Sequence, residues 1–152
     1  MGKILAVVTW ALIVGSTPAF ARLAWCWHIL GTGVSAAGTF TTDDHADAEG
    51  FYRITGIAGT ANSAHVTALQ PAGTAIPGNS GFPVDNLVRA VAPQLTTHGF
   101  GFMASDGAYH NPFYMEKYRD YISRPPYPDG KGKEPTIQFR AASVMGGHCP
   151  SD

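Results

Sequence analysis

One stretch of sequence decides the fold, FYRITGIAGTANSAHVTAL, which covers residues 51–69. Its beginning, 51–57, is rich in aromatic and β-branched residues, and 64–69 resumes that composition. Between the two, the segment 59–63 predicts a turn with Asn62-Ser63 at its tip. The stretch therefore predicts a β-hairpin.

Alternation along this hairpin predicts which side chains face the core. We expect the uncharged sets inside, and these are Tyr52, Ile54 and Gly56 on the first strand and Ala64, Val66 and Ala68 on the second. Arg53 and His65 then point outward, where they stay hydrated. Large side chains from a facing layer are expected to fill the space beside Ile54, and the candidates are Phe100, Phe102 and Phe139.

Other segments rich in β formers and bounded by turn residues predict further strands. They lie within 25–42, as one or two strands, and at 84–88, 95–105 and 136–144. The sum is a mainly β protein, an antiparallel meander of about six to eight strands with at most one short helix. A small barrel and a two-layer sandwich both manage the sheet edges, and the sequence leaves both open.

The one predicted helix follows Asn111-Pro112, a pair that is typical of a helix start. It would run from Phe113 to Ile122, where tyrosines recur at spacings of four and three residues. A tyrosine-rich stretch also suits a strand, so the β alternative stays open here.

Composition bounds the class of protein. The chain has 152 residues, of which 45% are hydrophobic and 14% charged, which suits one domain with a packed core. Its net charge of −1 includes no long basic run, and this excludes a nucleic-acid binder that must neutralise phosphates. Eighteen glycines and eleven prolines argue against a helical bundle.

The first 21 residues have the layout of a signal peptide. A lysine at position 3 precedes an apolar run over 4–14, and Ala19-Phe20-Ala21 supplies a cleavage pattern. We expect cleavage before Arg22, export to the periplasm or beyond, and a single β-rich domain over 22–152 without a transmembrane segment. The alternative is an uncleaved anchor helix.

The chain contains two cysteines, Cys26 and Cys149. An exported protein with an even cysteine count normally pairs them, so we predict a disulfide that joins the first strand to the tail. The alternative is a zinc site that adds His28 and His148 to the two thiols, although adjacent residues on an extended chain point to opposite sides.

Seven short motifs occur in an order that resembles uncharacterised exported bacterial proteins of the PEP-CTERM-associated kind. They are Gly38-Thr39-Phe40-Thr41-Thr42-Asp43, Tyr52-Arg53-Ile54-Thr55-Gly56-Ile57, Ile76-Pro77-Gly78-Asn79, Asp85-Asn86-Leu87, Gly99-Phe100-Gly101-Phe102, Asp106-Gly107 and Asn111-Pro112-Phe113. The resemblance covers about residues 36–122 and implies export, but it transfers no catalytic residue. Residues 146–152 lack the Pro-Glu-Pro sorting signal, so we expect none of the anchoring that such a tail provides.

Titratable residues offer weak candidates for chemistry. The loop 43–49 carries four carboxylates that could bind calcium, although a solvated turn is the favoured interpretation; they are Asp43, Asp44, Asp47 and Glu49. The six histidines show no metal-ligand spacing, and we expect no metal and no cofactor. Asp106 with His110, or Asp85 with His98, would form an acid–base pair if folding brought them together.

Aromatic residues are the stronger candidates for binding. Trp25, Trp27, Phe100 and Phe102 could line an apolar cavity. Tyrosines are amphipathic and rigid, so they suit either a contact surface or a lid over the end of the sheet; the candidates are Tyr109, Tyr114 and Tyr118, with Tyr121 and Tyr127.

Three functions remain open on this basis. The first is an exported, non-catalytic β-domain that binds a cell-surface or extracellular polymer or protein, or forms a structural part of the surface. The second is a lipocalin-like carrier of a small ligand. The third is a small hydrolase or isomerase that uses a His/Asp pair.

Overall fold

The computed structural model describes residues 22–77, 81–124, 136–144 and 149. These residues form nine β-strands and no helix. The strands are β1 (Leu23–Gly31), β2 (Val34–Thr42), β3 (Tyr52–Ala61), β4 (Ala64–Leu69), β5 (Leu87–Val88), β6 (Phe102–Ala104), β7 (Tyr109–Met115), β8 (Asp120–Arg124) and β9 (Thr136–Val144).

Eight of the strands close into an antiparallel barrel. Their order is β2-β1-β9-β8-β7-β6-β4-β3, and pairing of β2 with β3 completes the ring. The short strand β5 lies outside the ring and pairs with the beginning of β3. The predicted mainly β meander is confirmed. Of the two architectures that the sequence left open, the structure has the barrel, in which the sheet closes on itself.

The hairpin predicted over 51–69 is present as β3 and β4. Ala61 pairs with Ala64, and the turn between them consists of Asn62 and Ser63, whose φ angles are 48° and 72°. Two consecutive residues with positive φ are what the commonest tight hairpin turn requires, and asparagine tolerates this conformation well. Strand β3 continues to Ala61, so the turn is shorter than the predicted segment 59–63.

The predicted register is right at the start of each strand and wrong after a bulge. Ile54 is 2% exposed, whereas Arg53 and His65 are exposed, as expected. The pairing then shifts, because Thr41 pairs with Gly56 but Thr42 pairs with Ile54. One extra residue on β3 reverses the faces beyond it, so Ile57 packs against the core in place of Gly56.

A second irregularity affects β4 in the same way. The pairing of β4 with β6 shifts between Val66 and Ala68. Ala68 is therefore exposed, contrary to the prediction, and Leu69 packs against the core in its place. A bulge cannot be read from residue alternation, since alternation assumes an uninterrupted pleat.

The predicted helix over 113–122 is wrong. That stretch contains the end of β7, a turn and the beginning of β8, and Tyr114 pairs with Tyr121 across the hairpin. The tyrosine spacing that resembles a helical face arises from this cross-strand pair, which suits aromatic residues. Asn111 caps no helix; its side-chain Nδ2 donates to the carbonyl oxygens of His98 and Phe100 at 3.1 and 3.0 Å.

Aromatic rings fill the interior of the barrel. Trp27 stacks on Phe40 with centroids 5.2 Å apart, and it contacts Phe100 and Phe102 at 5.9 and 5.7 Å. Phe139 joins them through Phe100 at 5.9 Å. The three phenylalanines expected beside Ile54 all belong to this core cluster.

Two glycines let strands β2 and β3 approach closely near Trp27. Trp27 pairs with Gly38, and Gly38 pairs with Gly59. A Cβ atom at Gly38 would overlap the carbonyl oxygen of Ala58. The two strand backbones approach so closely here that only glycine fits.

Candidate functional site

The ladder between β8 and β9 is one of the short ladders of the barrel wall. These strands pair only through Tyr121 with Ile137 and Ile122 with Thr136, although β9 continues to Val144. Most of this edge of β9 therefore lies beyond the reach of the β8 ladder. Another part of the chain has to satisfy its backbone groups.

Gln94 fills this position with its side-chain amide. Its Nε2 donates to the carbonyl oxygen of Ala141 at 2.6 Å, and its Oε1 accepts from the Ala141 N–H at 3.0 Å. The backbone N–H of Gln94 donates to the Tyr121 hydroxyl at 2.7 Å. The Gln94 side chain thereby makes the two hydrogen bonds to β9 that a neighbouring strand would make, while its backbone N–H binds Tyr121 on β8.

A cleft of about 850 Å³ lies beside Gln94. Strands β1, β2 and β9 contribute to its lining, as does the segment that contains Ala90, Ala92 and Gln94. Many of the lining side chains are small, which leaves the space open. Tyr121 and Phe139 supply aromatic surface, and the disulfide between Cys26 and Cys149 borders the cleft.

Most polar side chains that line this cleft can donate hydrogen bonds, and Arg140 among them is a cation. His28 and Arg140 lie directly opposite one another on β1 and β9, and both are exposed. The Tyr121 hydroxyl accepts from Gln94, which leaves its own proton available for donation. Burial raises the pKa of Tyr121, partly offset by the hydrogen bond from Gln94, so the hydroxyl stays protonated at neutral pH.

Trp27 adds a further donor to the lining. Its side chain is 2% exposed, and the indole N–H has no hydrogen-bond partner among the residues that the structure describes. Buried polar groups are normally satisfied, so an unmet indole N–H costs folding free energy. Such a group is a reasonable indicator of a place where a ligand can contribute.

The predicted disulfide is confirmed. Cys26 and Cys149 are bonded to each other with an S–S distance of 2.01 Å, so neither sulfur is free to bind zinc. His148 of the zinc alternative lies outside the described residues. The bond closes a loop with a sequence separation of 123 residues and ties the tail to β1.

The four aromatic residues predicted to line a cavity are buried against one another and their neighbours. Phe100 and Phe102 are both 0% exposed and contact each other at 5.9 Å. Trp25 packs on Tyr52 at 5.3 Å, and its indole N–H donates to the Thr42 hydroxyl. Trp27 is the member of this set that borders the cleft.

The predicted tyrosine surface is divided by the fold. Tyr118 is 58% exposed in the turn between β7 and β8. Tyr114 is half-buried and contacts Tyr121 at 5.4 Å, while Tyr109 pairs with Met103 at the other end of β7. Tyr127 lies outside the described residues. These side chains therefore belong to separate places on the molecule.

The structure brings Asp85 and His98 close together, and other groups engage the Asp85 carboxylate and the His98 Nδ1. Both border a second depression of about 370 Å³, with Arg53 beside them. The Asp85 carboxylate accepts from the Thr96 hydroxyl at 2.5 Å and from the Leu87 N–H at 3.2 Å. Burial raises the pKa of Asp85, and the Thr96 hydrogen bond opposes that shift.

The other pair, Asp106 with His110, interacts through charge alone. His110 is 5% exposed and stacks on Phe102 with centroids 4.9 Å apart, and its Nδ1 has no partner within the described part of the chain. Burial lowers the pKa of His110, and the negative charge of Asp106 raises it only in part. His110 is thus a neutral ring packed in the core.

The acidic loop is organised by its own hydrogen bonds. The Asp47 Oδ1 accepts from the N–H groups of Glu49 and Phe51, both at 2.9 Å, and Asp44 contacts the His45 ring at 2.6 Å. No group of three His, Cys, Asp or Glu side chains suited to a metal occurs among the described residues. This arrangement supports the solvated turn.

Sequence reasoning missed Gln94 and Arg140 as site residues, whereas Tyr121 was among the candidate contact tyrosines. Gln94 stands in a proline-containing segment, and nothing local marks it as a partner for a strand 47 residues away. Arg140 reads as an ordinary outward residue of an alternating strand. The missing information is the pairing of β1 with β9, which places Arg140 opposite His28.

The fold therefore defines a disulfide-linked, eight-stranded antiparallel barrel with a cleft on its wall. The described residues contain no helix, and so none that is long and apolar enough to cross a membrane. Comparisons with family models, curated proteins and solved structures found no match. The resemblance to PEP-CTERM-associated proteins stays a prediction.

Proposed function

We propose that this chain is an exported, non-catalytic binding domain that takes its ligand in the cleft beside Gln94. The observation that carries the proposal is the contrast between a barrel interior filled by aromatic rings and an open cleft of about 850 Å³ on the wall. A cleft of this volume is within the range of small-molecule sites.

Export is supported by two independent features. Residues 1–21 have a signal-peptide pattern, and they lie outside the described residues. The Cys26–Cys149 disulfide belongs to the chemistry of oxidising compartments, because cytosolic thiols are kept reduced. The domain over 22–152 is the exported part in this proposal.

Binding without catalysis is supported by how the titratable groups are used. The Asp85 carboxylate caps a turn through Leu87 and Thr96, and the His98 ring donates from Nδ1 to the carbonyl oxygen of Pro83 at 2.8 Å. His110 is buried in the aromatic core. These contacts give Asp85, His98 and His110 structural roles, which favours binding over acid–base catalysis by either predicted pair.

A second candidate, the small-ligand carrier, is favoured by one observation. Trp27 and Phe139 belong to the aromatic core and also border the cleft. A slender apolar group could therefore contact the core where β8 and β9 separate, without an internal chamber. This differs from the lipocalin-like cavity predicted from the sequence, because the predicted lining rings fill that space themselves.

The test uses the neutral fluorescent probe N-phenylnaphthylamine on the oxidised, folded protein. We expect saturable binding that the substitution Ala142→Phe abolishes, because a ring at this exposed cleft position occupies the space. The matched control is Ala58→Phe, an exposed position on β3 outside the cleft lining. Absence of saturable binding, or equal binding by both variants, would contradict the cleft as the site.

A further inference from the structure

Two basic side chains on the cleft wall point to the chemistry of the ligand. His28 and Arg140 occupy directly opposite positions of β1 and β9, and both border the cleft. Cross-strand neighbours of this kind have Cβ atoms about 5 Å apart, so both side chains can reach one group. No described acidic residue belongs to this lining.

The neighbouring polar groups reinforce this preference for an acceptor. The Tyr121 hydroxyl has a proton to donate. The Gln94 side chain is not available to the ligand as an acceptor, because its Oε1 and Nε2 atoms are both hydrogen-bonded to Ala141. The described lining therefore combines several donors with no carboxylate, and its Thr39 hydroxyl can donate as well as accept.

Arg140 makes no ion pair with any carboxylate in the part of the chain that the structure describes. The ion pair found among the described residues joins Asp44 to His45, and no described carboxylate lies within salt-bridge distance of Arg140. A guanidinium prefers bidentate contact with a carboxylate, sulfonate or phosphate, and such contacts are shorter and stronger than neutral ones.

We propose that the cleft binds a small amphipathic organic anion, with the charged group held by Arg140 and His28 on the outer face and the apolar body reaching over the edge of β9 toward Tyr121 and Phe139 on the inner face. This inference rests on the proposed function and adds the ligand class to it. Small side chains such as Ala37 and Ala142 leave room for the apolar body.

The experiment compares two probes that differ in one charged group. Anilinonaphthalene sulfonate carries a sulfonate on nearly the same ring system as the neutral N-phenylnaphthylamine. We expect the anionic probe to bind more tightly, and Arg140→Gln to weaken it about tenfold while the neutral probe changes less than about twofold. Added salt should weaken the anionic probe alone.

Matched variants and a fold check separate the possible outcomes. Arg53→Gln removes an exposed arginine outside this cleft and should leave both affinities unchanged. Near-ultraviolet circular dichroism confirms that each variant keeps its aromatic packing. Equal affinity for the two probes, or equal effects of Arg140→Gln and Arg53→Gln, overturns the anion preference while the binding function stands. If neither probe binds in the cleft, the binding function itself fails.

Discussion

Two sides of the barrel are held together by different means. On the side of β1, β2 and β9, main-chain pairing is long and regular, since β1 pairs with β2 from Leu23 to Gly31 and with β9 from Ala24 to Gly31. On the side of β6, β7 and β8, the ladders between β6 and β7 and between β8 and β9 are short. Described residues within 81–101 pack against this side, where the Tyr114 N–H donates to the Thr96 carbonyl and the Phe100 N–H donates to the Pro112 carbonyl.

Buried side-chain amides take the place of main-chain pairing on the second side. Asn86, Gln94 and Asn111 are 2%, 9% and 1% exposed. The Asn86 amide joins the Gln70 carbonyl to the Gly101 N–H, and Gln94 binds the Ala141 peptide group. An amide side chain has the same donor and acceptor as a peptide unit, so it can satisfy a strand edge where no strand is available.

The largest expected effect concerns the disulfide on the long-ladder side. The double variant Cys26→Ala/Cys149→Ala should lose about 4–5 kcal/mol of unfolding free energy at most, because a very long loop is no longer constrained in the unfolded chain. Guanidinium melts of the oxidised protein and the variant measure the difference. Alkylation of native protein should find no free thiol, and two reactive thiols would contradict the bond.

The second largest loss of unfolding free energy is expected when a core side chain near the bulge is removed. Ile54→Ala should cost about 2–4 kcal/mol through lost burial and a residual cavity. Ile57→Ala is the matched control, since Ile57 is only partly buried and should cost less. Denaturant melts of both variants compare these two inward positions, and a larger loss at Ile57 would contradict the deeper burial of Ile54.

Breaking the amide contact tests the short-ladder side directly. Gln94→Ala should cost about 2–3 kcal/mol, because the Ala141 N–H and carbonyl lose their partners in a buried setting. Gln138→Ala removes an exposed glutamine from the same strand β9 and should cost less than about 0.5 kcal/mol. Similar losses in the two variants would mean that Gln94 does not support the barrel wall.

Acid should weaken the short-ladder side through His110. Burial holds its pKa below the ordinary value, so the unfolded chain binds the proton more readily than the folded protein. Stability is therefore highest above the unfolded pKa and falls as the pH drops through that value toward the lower folded pKa. We expect His110→Phe to reduce the loss of unfolding free energy between neutral and mildly acidic pH, with His65→Ala as the control; an unchanged pH slope would refute this.

The smallest expected effect is at His65, on the outer face of β4. His65→Ala should change the unfolding free energy by no more than about 0.5 kcal/mol, as is usual for an exposed position. The same melts provide the measurement. A loss larger than that of Ile54→Ala would show that β4 carries its histidine inside the barrel.

Much of the fold was predictable, but little of the candidate site was. The hairpin over 51–69, the buried Ile54 and the pairing of Cys26 with Cys149 follow from composition, alternation and cysteine count. The cleft depends on Gln94 meeting Ala141 and on Arg140 meeting His28, and these contacts join residues that are far apart in the chain. Local sequence patterns do not indicate contacts between such distant residues.

The sequence by itself determined the β class, the tight turn at Asn62-Ser63 and the two-cysteine link, because turn preferences, strand propensities and thiol chemistry act over short distances or require no geometry. Tertiary structure alone decided closure into a barrel, the bulge that turns Ile57 inward and the hairpin in place of the predicted helix. Each of these depends on which strand lies beside which, and pairing is settled by burial and hydrogen bonding across the whole domain.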